Sequence, residues 1–169
     1  MKRTNVELEI LFKELDGRIA KVNRARKEAG LRAVARAEVK LLGQMSLLAN
    51  KKVSLLLSLA QTADMDALLT MDHVLKEELK ACLRKHGMVY DEDSHLIWIP
   101  KGATFDDLFD LKNVIVKAID PMSALVSKAV KAPQKNKQLI REAIASGKFP
   151  GLADRIETDG GNLDFFAKD

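Results

Sequence analysis

Gln61-Thr62-Ala63-Asp64-Met65-Asp66-Ala67-Leu68-Leu69 is the stretch whose reading decides the fold. Two carboxylates one residue apart precede an apolar tail. In extended backbone, residues i and i+2 project from the same face, so Asp64 and Asp66 point at one small volume. Like charges held that close repel unless a cation lies between them. A hard divalent ion such as Mg²⁺ takes oxygen ligands of this kind and completes its shell with water and substrate phosphates. An acidic turn ahead of a strand is the alternative reading of the same residues.

Upstream, Val39-Lys40-Leu41-Leu42-Gly43-Gln44 reads as a short strand ending in glycine, and Met45-Ser46-Leu47-Leu48-Ala49 as the first turn of a helix. A strand that meets a helix through glycine exposes backbone amides where a phosphate fits; an ordinary turn is again the alternative. Leu31 to Lys40, small and basic, is compatible with a short helix. The apolar run Val53 to Leu59 is either a buried strand or the end of a helix, which periodicity does not separate.

The chain begins with a capping box, Thr4-Asn5-Val6-Glu7. Leu8, Leu11, Phe12, Leu15, Ile19 and Val22 then recur at a helical period, predicting a helix to about Glu28 with Gly30 as its stop. Its polar face is basic. Residues 1–52 carry 13 Lys and Arg against 6 Asp and Glu, whereas residues 53–169 carry 15 against 18. Such a bias attracts nucleic acid or an acidic partner, or is simply a solvated helix face. Aromatic residues that would stack on bases are nearly absent from this third.

Downstream, Val74, Leu75, Leu79, Cys82 and Leu83 share one face of a helix predicted over Met71–His86, with Gly87 as stop. Cys82 therefore reads as a buried, inert thiol. Met88-Val89-Tyr90 and His95-Leu96-Ile97-Trp98-Ile99, joined by a polar turn, predict a β-hairpin. Phe105, Leu108 and Phe109 suggest a helical turn among Asp106, Asp107 and Asp110. Asn113 to Ile119 is the clearest strand, and Asp120-Pro121 supplies an N-cap and an N1 proline for the helix after it. Helices follow over Met122–Lys131 and Pro133–Ser146, closed by Gly147. A last short helix is expected near Pro150-Gly151, and a tail with Phe165 and Phe166 docks back on the body. This order predicts an α+β domain: a small mixed sheet flanked by helices.

The length of 169 residues suits one domain with a helical extension. No apolar run approaches the roughly 20 residues that span a bilayer. The start at Met1-Lys2-Arg3-Thr4 lacks a signal-peptide core, so a cytoplasmic protein is expected. The single cysteine excludes an intramolecular disulfide and a cysteine-rich zinc site.

Three motifs now line up. Gly43-Gln44, with Ser46 just beyond, closes a strand; Thr62-Ala63-Asp64-Met65-Asp66 follows; Asp120-Pro121 and Ser127-Lys128 lie in a helix after a later strand. Over roughly residues 38–146 the set resembles the DNA polymerase-β-like nucleotidyltransferase superfamily, particularly small bacterial members, some from toxin–antitoxin and phage-defence systems. The resemblance implies a nucleotidyltransferase-like domain over 31–169 with an N-terminal helical extension over 1–30. It implies Mg²⁺ on Asp64 and Asp66, a nucleoside triphosphate held by Gly43 and Ser46, and Lys128 neutralising phosphate charge. A partner protein, as in toxin–antitoxin pairs, is the alternative role it implies for an inactive relative, and nucleic acid ranks below both. The chain departs from the pattern in four places, the first being a glycine turn that lies farther from the Asp pair than in the compact members. Gln44-Met45 separates Gly43 from Ser46. No carboxylate stands in His95–Ile99, where the family's third one belongs, which leaves Asp91, Asp93, Asp106 and Asp107 unranked as substitutes. The downstream basic–acidic pair reads Lys135-Asn136.

Overall fold

The computed structural model describes residues 4–169; Met1-Lys2-Arg3, on which the reading of a start without a signal-peptide core rests, lies outside them. The protein is α+β. Helix α1 (Asn5–Glu28) begins with the complete capping box, Thr4 and Glu7 each satisfying the other's backbone amide. Its stripe of Leu8, Leu11, Phe12, Leu15 and Ile19 is buried against the sheet and a later helix. The chain then reaches β1 (Ala37–Leu41), α2 (Gly43–Ala49), α3 (Lys51–Leu56), β2 (Asp64–Met65), β3 (Ala67–Thr70) and α4 (His73–Lys85). After these come β4 (Val89–Tyr90), a 3₁₀ turn at Ser94–Leu96, β5 (Phe105–Asp110) and β6 (Val114–Ile119). Four helices finish the chain: α5 (Pro121–Lys131), α6 (Pro133–Ser146), α7 (Leu152–Thr158) and α8 (Leu163–Ala167).

The main sheet has the order β3-β1-β6-β5, with β1 parallel to β6 and both outer strands antiparallel to their neighbours. Alternation along β1 and β6 sends Ala37, Val39, Leu41, Val114, Val116 and Ala118 to one face, where α1 and α4 close the first core. The second core is built on α5, α6 and α7, with Leu42, Leu47, Val53 and Ile119. Asp120 caps α5 through Ser123 N and also accepts from Thr104 N, both at 2.9 Å. Gly147 ends α6 at φ +66°, and Phe166 docks as a buried residue of the second core.

Three expectations are corrected and one left open is decided. The short helix compatible with Leu31–Lys40 does not form. Residues 31–36 are irregular, Asn23 accepts from Val34 N, and the segment runs into β1. The Val53–Leu59 run, open between two readings, is the end of a helix and not a buried strand: its first half closes α3, which buries Val53 and leaves Leu55 87% exposed. The hairpin is absent. Val89–Tyr90 pairs in parallel with Asp64–Met65, and His95 to Ile99 begins as the 3₁₀ turn. Phe105–Phe109 is an edge strand, not a helical turn. A bulge between Asp107 and Phe109 inserts one extra residue, so Phe105 opposite Ile119 faces the second core while Phe109 opposite Val116 faces the first. An i, i+4 spacing that looks helical is produced here by a strand that changes face.

Candidate active site

Strand direction brings the three sequence motifs to one end of the sheet. Leu41, the last residue of β1, lies in register with Ala67 on one side and Ala118 on the other. Because β3 runs antiparallel, the residue before Ala67 is beside the end of β1, and Leu42 N donates to Asp66 O at 2.8 Å. Because β6 runs parallel, its continuation through Asp120 into α5 starts from the same end. Gly43, Asp66 and Lys128 thereby meet around one cleft.

Gly43 is required there on two counts. Its φ of +54° lies in the left-handed region, and a Cβ would sit 2.6 Å from Asp66 Oδ2. The backbone turn and the carboxylate share the same few ångströms.

The short parallel ladder supplies a third acid. Asp64 pairs with Val89 and Met65 with Tyr90, so the next residues, Asp66 and Asp91, stand side by side, with Asp91 N donating to Met65 O at 3.0 Å. The fully buried Ser94 locks this corner: its hydroxyl donates to Asp91 O at 2.6 Å and accepts from Ala67 N at 3.0 Å. Asp66 is pushed up to about 6, first by burial, then by the hydrogen bond and repulsion of Asp91; Asp64 adds to this and Lys128 opposes it. Lys128 is lowered by burial and by the repulsion of Lys135, against the pull of Asp66. Its Nζ lies 3.4 Å from Asn136 Oδ1.

The cleft has two lobes that share Asp66, Asp91, Lys128, Lys135 and Asn136. One, of about 640 Å³, is walled by polar residues including Gln44, Thr62, Asp64, Gln138 and Glu142. The other, of about 560 Å³, is walled by Leu96, Ile97, Trp98 and Ile99. Among the sequence-derived candidates, Asp64, Asp66, Gly43 and Lys128 reach this cleft. Ser46 does not: it is buried and its hydroxyl donates to Gly43 O at 2.7 Å. Asp91 alone of the four substitute acids lines the cleft. Its signal, the pairing of Val89-Tyr90 with Asp64-Met65, is a contact between distant segments that no local pattern announces. Trp98, Lys131 and Ser94 were not singled out from sequence.

Among the described residues, no three His, Cys, Asp or Glu side chains form a ready-made metal cage. Mg²⁺ does not need one, since it is commonly held by one or two carboxylates together with substrate phosphates and water. The crowding of Asp66 against Asp91, with Asp64 adding its charge, is a donor set that a divalent cation would relieve. No helix among the described residues is long and apolar enough to cross a membrane. No protein-family model, curated protein or solved structure matches the chain.

Proposed function

We propose that this protein is a Mg²⁺-dependent nucleotidyltransferase that transfers a nucleotide from a nucleoside triphosphate to an acceptor. The observation that carries the reading is the meeting of Asp66, Asp91 and Lys128 against the Gly43 turn, with Asp64 on the same cleft wall. Phosphoryl transfer needs positioned phosphates and neutralised charge more than covalent chemistry by the protein. Lys128 lines both lobes of the cleft, where its ammonium would meet phosphate oxygens. Asp66 and Asp91 are the residues that would hold Mg²⁺, with Asp64 beside them. When bound, the ion would supply charge neutralisation on the triphosphate and polarisation of the attacking oxygen. In the transfer, the acceptor oxygen bonds to the α-phosphorus, the bond to the bridging oxygen breaks, pyrophosphate leaves, and an ionised carboxylate of the Asp66–Asp91 pair takes the acceptor's proton.

A second reading, a catalytically inactive relative that binds a partner protein in the manner of a toxin–antitoxin module, is favoured by one observation. Asn136 stands where an acid would be expected, and its amide is spent on the fold, donating to Ala132 O at 2.9 Å while its oxygen faces Lys128.

Titration calorimetry with Mg²⁺-ATP and Mg²⁺-GTP separates the two. A charge-assisted contact to phosphate is worth roughly 1.5–3 kcal/mol, so Lys128→Ala weakens triphosphate binding about ten- to hundredfold. Measurable wild-type binding that the substitution leaves unchanged removes this role from Lys128. Absence of wild-type binding to any triphosphate favours the partner-binding reading.

A further inference from the structure

The two lobes differ in chemistry, and the difference assigns them. The smaller lobe has an apolar wall of Leu96, Ile97, Trp98 and Ile99, with Leu96 72% exposed at its rim. Ser127 fixes this wall by donating from Oγ to Trp98 O at 2.7 Å. Lys128, Lys131 and Lys135 line the same lobe. Lys131 rests its ammonium 5.3 Å from the Trp98 ring centroid, and no described carboxylate lies within ion-pair distance of any of the three lysines. Three cations gathered without paired anions beside an aromatic wall match a ligand that joins a planar ring to a polyanion. The larger lobe shares Lys128 and Lys135 but lacks Lys131 and any aromatic wall; it adds amides, hydroxyls and Glu142, which accepts from Ser58 N at 2.9 Å. Both volumes fall within the several hundred Å³ usual for ligand sites.

We propose that the donor nucleotide lays its base against Trp98 in the apolar lobe, with its phosphates crossing the Lys128, Lys131 and Lys135 wall towards Asp66 and Asp91. The polar lobe is thereby left to a hydroxylated acceptor. This assignment rests on the nucleotidyltransferase reading above and adds to it which side of the carboxylates each substrate occupies.

Trp98 is the only tryptophan in the chain, so its fluorescence reports on this lobe alone. Wild type, Trp98→Ala, Trp98→Phe and Gln138→Ala are titrated calorimetrically with Mg²⁺-ATP and with Mg²⁺-tripolyphosphate, which has the anion and no base. Wild-type fluorescence is followed in parallel. The expected result is that ATP changes the tryptophan emission more than tripolyphosphate, which reaches the ring only through Lys131. Trp98→Ala loses about 5- to 100-fold in ATP affinity, the range for a stacked base, keeps its tripolyphosphate affinity, and is largely rescued by Trp98→Phe. Gln138→Ala binds ATP as wild type does. The lobe assignment is overturned, with the function reading intact, if ATP binds and Trp98→Ala leaves it unchanged, if Gln138→Ala causes the loss instead, or if Trp98→Ala weakens both ligands equally. Failure of the wild type to bind tripolyphosphate and each of the four Mg²⁺-nucleoside triphosphates overturns both.

Discussion

Replacing Asp66 with asparagine removes one of two acids that the fold presses together. In the folded protein the Asp66 carboxyl moves from 3.8 to about 6, which corresponds to ~3 kcal/mol between its neutral and charged forms. The side chain is only half-buried and faces a cleft, and solvent screening brings the part felt by stability to ~1–2 kcal/mol. The folded pKa lies above the unfolded one, so the folded state binds the proton more tightly. The penalty is absent below 3.8, grows as pH rises through about 6, and is complete above that. Asp66→Asn in chelator at pH 8 is therefore expected to be more stable than wild type by ~1–2 kcal/mol, a Tm rise of roughly 2–8 °C for a chain of this size. The gain shrinks as pH falls towards 3.8. Differential scanning calorimetry over pH 4–8 measures it. A lower Tm for the variant at pH 8, or a gain of the same size at every pH, refutes the reasoning and shows Asp66 tied into the fold by hydrogen bonds. Under the Mg²⁺ reading, millimolar Mg²⁺ at pH 8 raises the wild-type Tm and leaves the variant's unchanged.

Gly43→Ala places a methyl 2.6 Å from Asp66 Oδ2 at a φ of +54° and is expected to cost ~1–2 kcal/mol from the left-handed backbone alone. A double-mutant cycle in urea should find a smaller cost in the Asp66→Ala background, where the clashing oxygen is gone. Ser94→Ala leaves the buried Ala67 amide without its acceptor and lowers stability by ~1–3 kcal/mol, checked by denaturant unfolding. Between α1 and α4, Glu14 is held down to about 2 by hydrogen bonds from Lys85 and His86. Its contribution is present above 4.5 and lost as pH falls towards 2, so the acid-side fall in Tm should be steeper for wild type than for Glu14→Gln.

What the sequence determined by itself is whatever depends on residues close in the chain. Thr4 and Glu7, Asp120 and Pro121, and Gly147 mark helix ends because capping is an interaction within one turn. β6 was legible because Val114, Val116 and Ala118 feed one core in strict alternation. The same local logic selected Asp64, Asp66 and Gly43, since i, i+2 spacing and a glycine between strand and helix are readable as text, whereas Lys128 entered only through the resemblance. Tertiary structure decided the rest. Phe105 and Phe109 imitate a helix because the bulge that separates their faces exists only against β6. Asp91 became the partner of Asp66 through a two-residue parallel ladder whose strands lie far apart in the chain, and Ser46 was turned away by a hydrogen bond to Gly43 within its own turn. Parallel pairing carries no turn signature, because its strands are joined by a long crossover and not by a hairpin. The register that sets Asp66 beside Asp91 and Gly43 is therefore chosen by the packing of whole elements on the two cores, a choice that no short window of residues contains.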